Sequence, residues 1–216
     1  MRAKTKFGKE YWVELTLTPN KNLFGNVTTV LATRTDITDK KHIQHLSVTD
    51  ELTGLYNRRY YNEVIERELR RAKREHYSLC LAMLDIDFFK LVNDSYGHPF
   101  GDKVLKDIAK QLTFSFNRGN DFVFRVGGEE FIAISSFESE TKFVEHLHGL
   151  LESVQKLQIE NKKAPFKVVT ISIGGLYLEA DKELTEEEIL KYLDQQLYLA
   201  KENGRNRIEM YAFTEE

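Results

Sequence analysis

Apolar and polar residues alternate near the start of the chain, which is the pattern of a half-buried β-strand. Apolar residues occupy every second position from Tyr11 to Leu17, and a second β-rich run covers Asn26 to Arg34. The residues Pro19–Asn22 between them are typical of a turn. We therefore expect one small β-hairpin, formed by residues 10–35 within the N-terminal segment 1–39, which is too small to be a domain. A short helical linker is expected over residues 40–49.

From Asp50 onward the pattern changes to a mixture of helical and strand periods. A nearly all-apolar run, Leu79–Leu84, predicts a buried central strand. Thr185 and Glu188 have the spacing of a capping box at the start of the last helix, and Gly204 ends that helix. The remaining predicted elements are a helix capped by Asn57 and ending near Arg74, a helix over Pro99–Phe116, strands over Phe122–Val126 and Phe131–Ile134, a helix over Glu140–Gln158, a strand over Lys167–Leu178 and a strand over Arg207–Tyr211.

The order of elements between Leu79 and Leu178 is strand, helix, strand, strand, helix, strand. This is the split βαβ, or ferredoxin-like, order. The predicted fold class is therefore α+β, with a palm-like sheet that is antiparallel in its centre and has helices on one face. The N-terminal hairpin is an addition to this fold.

Acidic residues follow the buried strand and occupy the tip of the predicted hairpin. Asp85 and Asp87 come directly after Leu79–Leu84, and Gly127-Gly128-Glu129-Glu130 separates two short strands. In the ferredoxin-like order these strands pair centrally, so the tip brings Glu129 close to Asp85. Converging oxygen ligands favour Mg²⁺ or Mn²⁺, with phosphates of a ligand supplying further oxygens. The alternative is a solvated acidic turn without a chemical role.

Composition narrows the class of protein. The 216 residues are 41% hydrophobic and 30% charged, with a formal net charge of −3, so neither a disordered chain nor a dedicated nucleic-acid binder is indicated. Cys80 is the single cysteine, which excludes an internal disulfide. No apolar run reaches the length of a membrane span, and no signal peptide is evident. We expect a cytoplasmic protein that makes no membrane contact through this part of the chain.

Five separated motifs occur together in one order: DELTGLYNRR from Asp50, DIDFFK from Asp85, NDSYGHPFGD from Asn93, RVGGEEF from Arg125 and KENGRN from Lys201. This set resembles the GGDEF family of diguanylate cyclases from about Ser47 to Tyr211, which predicts a GGDEF domain over residues 50–216. Glu129 stands where the family name has Asp, so the signature is the GGEEF variant. Five separated motifs are far more specific than one.

The resemblance implies that two GTP molecules condense into cyclic di-GMP and two pyrophosphates across a homodimer, with Mg²⁺ or Mn²⁺ as cofactor. Asp85, Glu129, Glu130 and the backbone carbonyl of Ile86 are the implied metal ligands. Glu129 is also the implied catalytic residue. Asp87 has an alternative role as the cap of the helical segment that starts there.

The same resemblance implies a substrate site. Asp102 and its amide partner Asn93 correspond to the residues that recognise the Watson–Crick edge of guanine. Their structural alternatives are an acid in the first turn of a helix and a turn residue. Lys201 and Arg205 correspond to the cations that bind the β- and γ-phosphates, or they complement a helix dipole. Secondary substrate contacts are assigned to Lys90, His98 and the backbone near Phe88 and Phe89.

A second site is implied for the product. Arg118-Gly119-Asn120-Asp121 has the spacing of the family's inhibitory RxxD site, and Arg71 is a second candidate contact. The alternatives are a polar turn and a solvated helix face. The N-terminal hairpin with Asp36-Ile37-Thr38 resembles the C-terminal part of a PAS domain. The alternative function is a catalytically weak GGDEF domain that binds GTP or cyclic di-GMP.

Overall fold

The structure is a computed structural model that describes residues 2–4, 10–21, 25–39, 48–182 and 184–213. It divides into two compact units, Met1–Val48 and Thr49–Glu216. No helix within these described residues combines the length and the apolar character needed to cross a membrane. The linker predicted over residues 40–49 lies outside the described residues up to residue 47.

The first unit is a three-stranded antiparallel sheet in the order β1-β2-β3, where β1 is Arg2–Lys4, β2 is Glu10–Lys21 and β3 is Val27–Asp36. The predicted hairpin is present. The turn predicted at Pro19–Asn22 is wrong, because β2 continues to Lys21 and Pro19 pairs with Val30. Within the described residues β1 pairs with residues 10–12 of β2, and proline is tolerated in a strand where no second neighbouring strand needs its N–H.

The second unit contains the site. Its elements, in chain order, are β4 (Tyr56–Asn57), α1 (Arg58–Glu75), β5 (Leu79–Ile86), α2 (Phe89–Tyr96), α3 (His98–Ser115), β6 (Phe122–Gly127), β7 (Glu130–Ser136), α4 (Glu140–Lys156), β8 (Ile171–Leu178), α5 (Glu186–Glu202) and β9 (Ile208–Phe213). The strand predicted from Lys167 begins only at Ile171, because Lys167 has a positive φ of 61° and closes a turn onto Asn161.

The second unit has a six-stranded sheet in the order β4-β6-β7-β5-β8-β9. The four inner strands are antiparallel and reproduce the ferredoxin-like order, whereas β4 and β9 pair with their neighbours in parallel. The predicted α+β class with an antiparallel centre is confirmed. Consequently β5 is central, and its two ends bring residues from β7 and β8 together.

Helices cover both faces of this sheet: α3 and α4, which belong to the split βαβ segment, share one face as expected, whereas α1 and α5, which lie outside that segment, cover the other. All eight residues of β5 are buried. Leu81 and Met83 lie in one apolar cluster with residues of α1 and α5, whereas Ala82 and Leu84 lie in another with residues of α3 and α4. A strand with alternate side chains on opposite faces is buried throughout only when both faces are covered.

Local capping signals set the helix ends as predicted. The Asn57 side chain accepts a hydrogen bond from the N–H of Tyr60 at 3.0 Å and begins α1. Thr185 and Glu188 form the capping box of α5. The helix α5 packs closely on β8 because Gly174 has no Cβ, which would otherwise overlap backbone atoms of Leu193 and Leu197. This close packing places the C-terminal end of α5 near the end of β5.

Candidate functional site

Asp85 lies near the carboxyl end of β5, where the central strand meets the turn between β6 and β7. It pairs with Glu130 of β7 on one side and with Ser172 of β8 on the other. The N–H of Ile86 donates to the carbonyl of Glu129 at 3.4 Å. The side chain of Ile86 is buried, so this residue offers only its backbone to the site. The acidic residues that the sequence separates therefore share one edge of the sheet.

The electrostatics of Asp85 are those of a buried acid among other acids. Only 7% of Asp85 is exposed. Burial raises its pKa to about 6, the ion pair with Lys201 opposes that rise, and the charges of Glu129 and Glu130 add to it. The Nζ of Lys201 lies 2.8 Å from Oδ2 of Asp85. The site therefore concentrates negative charge that a cation stabilises, and in this structure the cation is Lys201.

The donor chemistry fits a hard divalent cation, with the protein supplying part of the coordination sphere. No group of three or more His, Cys, Asp or Glu side chains in the described part of the chain is arranged to hold a metal. Mg²⁺ commonly uses one or two carboxylates together with substrate phosphates and water. Asp85 and the acidic turn are therefore suited to Mg²⁺ or Mn²⁺ in the company of a phosphate ligand.

Arg125 fixes the Gly127–Glu130 turn. Its Nε and Nη2 donate to the carbonyl of Gly128 at 3.0 and 2.8 Å, and Gly128 has a positive φ of 45°. Its Nη1 lies 3.1 Å from Oδ1 of Asp50. Burial acts to raise the pKa of Asp50, but hydrogen bonds from Thr53 and the charge of Arg125 outweigh it and hold the pKa below its ordinary value. Sequence reasoning assigned no role to Arg125 or Asp50, because a contact across 75 residues leaves no local signal.

The loop after α5 (Glu186–Glu202) brings a second cation, Arg205, to the same edge. The guanidinium of Arg205 lies 4.6 Å from the centre of the Phe88 ring. Phe88 has a positive φ of 56°, immediately before α2. Phe89 is buried in the core, so its side chain is unavailable to a ligand. Phe88 thus contributes an aromatic surface for Arg205, a role that the sequence did not indicate.

The two residues implied for guanine recognition lie where α2 meets α3. Gly101 makes this approach possible, because a Cβ at that position would overlap the side chain of Asn93. Asp102, the next residue, is exposed and is the fifth residue of α3, so the alternative of an acid in the first turn of that helix is wrong. Lys90 and His98 are also exposed on this pair of helices. The structure therefore brings Asn93 and the start of α3 together.

The interpretation of Asp87 as a helix cap is wrong. The N-cap residue of α2 is Phe88, and no side chain caps that helix. Asp87 is 2% exposed, and its carboxylate accepts hydrogen bonds from Thr170, Ser172 and the backbone of Asn206. The carboxylate oxygens that would have capped a helix accept instead from donors that are distant in the sequence.

The family described as "Diguanylate cyclase, GGDEF domain" matches residues 47–207, which include every site residue described above. The chain belongs to this GGDEF family. The GGDEF match covers all but a few residues of the second unit.

Three curated proteins are similar in sequence to this chain over its GGDEF domain. Diguanylate cyclase DosC of Escherichia coli K12 is 32% identical over 162 residues, which cover 75% of this chain and 35% of DosC. Probable diguanylate cyclase DgcC of the same strain is 33% identical over 204 residues, covering 94% of this chain and 54% of DgcC. Response regulator PleD of Caulobacter vibrioides is 36% identical over 175 residues, which cover 77% of this chain and 37% of PleD. The chain thus spans about a third to a half of the length of these relatives.

Solved GGDEF structures share the fold. The coiled coil and GGDEF domain of DgcB from Caulobacter crescentus, in complex with c-di-GMP, has a TM-score of 0.69 and 26% identity over 80% of this chain and 91% of that chain. Diguanylate cyclase SiaD of Pseudomonas aeruginosa, in complex with its activator SiaC, has a TM-score of 0.66 and 32% identity, over 80% of this chain and 65% of the SiaD chain.

The residues implied for product binding in the GGDEF domain lie at the opposite end of β5 from Asp85. Nη1 of Arg118 donates to the carbonyl of Ser136, which pairs with Leu79 at the start of β5. At 3.3 Å per residue, the two ends of the strand are about 20 Å apart. The residues implied for product binding are therefore well separated from Asp85.

Three predicted residues meet at this second site. The N–H of Arg118 donates to Oδ2 of Asp121 at 3.0 Å, and Nη1 of Arg71 donates to Oδ1 of Asn120 at 3.0 Å. Burial raises the pKa of Asp121, and Arg118 opposes that rise. Arg118 borders a cavity of about 930 Å³ whose wall also includes Phe137, with the guanidinium 4.3 Å from the ring centre. The sequence predicted the turn but not this cavity.

Proposed function

We propose that this GGDEF domain condenses two GTP molecules into cyclic di-GMP and two pyrophosphates. The observation that carries the proposal is the meeting of Asp85, the Gly127–Glu130 turn and the cations Lys201 and Arg205 at one end of the central strand. The reaction is an attack of each 3′-hydroxyl on the α-phosphate of the other GTP. It requires a proton acceptor for the hydroxyl and positive groups for the phosphates, and both kinds of group lie at this edge.

Asp85, Glu129, Glu130 and the Ile86 carbonyl are the proposed ligands of Mg²⁺ or Mn²⁺. When bound, such a cation neutralises phosphate charge and activates the attacking oxygen. Glu129 is the proposed catalytic residue, which accepts the proton of the 3′-hydroxyl. Its turn is anchored through the Gly128 carbonyl, so the backbone that carries this carboxylate has a defined position.

The remaining residues of the site hold the nucleotide. Asp102 and Asn93 are proposed to accept from and donate to the Watson–Crick edge of guanine, whose paired N–H donors adenine lacks. Lys201 and Arg205 are proposed to bind the β- and γ-phosphates, Arg205 through two parallel hydrogen bonds of its planar guanidinium. The exposed Lys90 and His98 and the backbone near Phe88 and Phe89 supply secondary contacts.

The product imposes a two-fold arrangement, because it contains two guanylates joined by two equivalent bonds. One site binds one GTP, so two copies of the chain face each other during catalysis. Cyclic di-GMP is proposed to bind at Arg118, Asp121 and Arg71 and to hold the two copies in an unproductive arrangement. A ligand that prefers the unproductive arrangement lowers activity by its differential affinity.

The first unit is proposed to be the C-terminal part of a PAS domain. Its strands lead into Asp36-Ile37-Thr38, where the N–H of Thr38 donates to Oδ1 of Asp36 at 2.9 Å. The N–H of Trp12 donates to Oγ1 of Thr38 at 3.0 Å, so this exit turn is tied to the start of β2. Such a connection suits a sensor segment whose signal reaches the GGDEF domain through the linker.

The test is incubation of the chain with GTP and Mg²⁺, followed by separation of cyclic di-GMP and pyrophosphate. We expect both products in a ratio of one to two, with a specific activity that rises with protein concentration. Tight GTP or cyclic di-GMP binding without turnover would favour the alternative, a binding module. ATP in place of GTP serves as the control for base selectivity.

A further inference from the structure

Asp87 carries a buried carboxylate that neither metal binding nor helix capping uses. Oγ1 of Thr170 and Oγ of Ser172 each donate to it at 2.7 Å. The backbone N–H of Asn206 donates to Oδ2 at 3.0 Å. The N–H of Asp87 itself donates to the carbonyl of Thr170 at 2.9 Å. The carboxylate therefore connects the end of β5, the start of β8 and the loop after α5.

The loop after α5 has a conformation that needs outside support. Gly204, Arg205 and Asn206 have positive φ angles of 114°, 65° and 50°. Two successive residues other than glycine rarely adopt this region, and they remain there only when surrounding contacts enforce it. One contact is the bond from the N–H of Arg205 to the carbonyl of Ala200 at 2.9 Å. Further contacts are the bond from Nη1 of Arg205 to the carbonyl of Lys201 at 3.3 Å and the bond from Asn206 to Asp87.

We infer that Asp87 is a positioning residue, which holds this loop so that Arg205 faces the phosphate end of the nucleotide site. The bond to Asn206 fixes the residue that follows Arg205, and the guanidinium then lies over Phe88. An ionised carboxylate is suited to this task, because it only accepts hydrogen bonds and so sets the direction of all three donors. The role of Arg205 toward phosphates rests on the proposed function, whereas the support of the loop does not.

The experiment compares Asp87→Ala with Asp87→Asn and with a control, Glu68→Gln. Glu68 is also 2% exposed, but it lies on α1 and pairs with Arg67 and Tyr77. Hydrogen exchange of peptides that cover residues 203–207 is measured together with the KM for GTP. In Asp87→Ala we expect exchange and KM each to rise by about tenfold, as for loss of a charge-assisted hydrogen bond. Asp87→Asn should restore both, because its amide oxygen still accepts from Asn206.

A double-mutant cycle with Arg205→Ala tests the connection directly. If Asp87 acts through Arg205, Arg205→Ala raises the KM strongly in the wild type and little in the Asp87→Ala background. Equal effects of Arg205→Ala in both backgrounds would overturn the inference. So would exchange over residues 203–207 that matches the Glu68→Gln control.

A second variant distinguishes loss of the loop support from general destabilisation of the domain. Asp87→Ala combined with Thr170→Val and Ser172→Ala removes the two hydroxyl donors together with their acceptor, a change that is often nearly neutral for stability. It still leaves the N–H of Asn206 without its carboxylate, so rapid exchange of the loop is again expected, and slow exchange would contradict the inference. If the wild type neither binds nor converts GTP, the proposed function fails, while the exchange result still decides whether Asp87 supports the loop.

Discussion

Replacement of Arg125 by Lys tests how the Gly127–Glu130 turn is held. The Arg125 side chain is 15% exposed, and it reaches two partners at once, the carbonyl of Gly128 and the carboxylate of Asp50. A lysine ammonium is a compact charge that cannot occupy both positions. One set of contacts is therefore lost. Hydrogen bonds to charged groups contribute about 1.5–3 kcal/mol, so we expect Arg125→Lys to lower the free energy of unfolding by that amount.

Urea unfolding followed by circular dichroism at the helical band measures this change. The helices α1 to α5 lie in the second unit, whereas Trp12, the single tryptophan, lies in the first and would report on the wrong region. The denaturant slope should stay unchanged, and Tm should fall by about 3–12 °C for a unit of this size. Turnover of GTP should fall as well, because the turn carries Glu129.

Arg70→Lys is the matched control. Nη1 of Arg70 lies 3.4 Å from Oε2 of Glu66, and the two side chains are 71% and 64% exposed. Exposed pairs of this kind contribute below about 0.5 kcal/mol, so the control should be nearly neutral. If Arg125→Lys and Arg70→Lys give the same free energy of unfolding within that margin, the argument that Arg125 anchors the turn is refuted.

Four further outcomes are expected. Asp85→Asn or Glu129→Gln should reduce cyclic di-GMP formation by at least about a hundredfold with the urea midpoint of unfolding retained, and near-normal product yield would remove either residue from the reaction. Asp102→Ala should weaken the preference for GTP over ATP in competition binding by about tenfold or more, and an unchanged ratio would exclude guanine recognition by this carboxylate. Arg118→Ala should raise by about tenfold the cyclic di-GMP concentration that halves the rate, whereas an identical inhibition curve would contradict the product site. Burial and the charge of Arg118 hold the pKa of His146 below its ordinary 6.5, so the unfolded chain binds more protons and the free energy of unfolding decreases as pH falls below 6.5. In urea unfolding measured at several pH values, His146→Gln should show a smaller decrease over this range. A decrease identical to that of the wild type would exclude the effect.

Local signals were sufficient for most elements of the GGDEF domain and for their order, but not for β4 (Tyr56–Asn57), which was not predicted. The Asn57 cap and the Thr185–Glu188 capping box lie within a few residues of the helices they begin. The run from Leu79 predicted the buried strand, because a strand between two covered faces is apolar throughout. The turn at Pro19 and the Asp87 cap are among the local interpretations that were wrong, since strand pairing and tertiary hydrogen-bond partners outweighed the local preferences of these residues.

The sequence by itself determined which acidic and basic residues are available and the order in which strands present them. It did not determine that helices cover both faces of the sheet, since the period of a helix does not specify which side of a sheet it occupies. The tertiary structure alone decided that Arg125 pairs with Asp50 and that Asp87 accepts from Asn206, partners that lie 75 and 119 residues away in the chain. The physical reason is that periodicity and capping act within a few residues, whereas the direction of a buried hydrogen bond depends on strand register and on how closely elements pack.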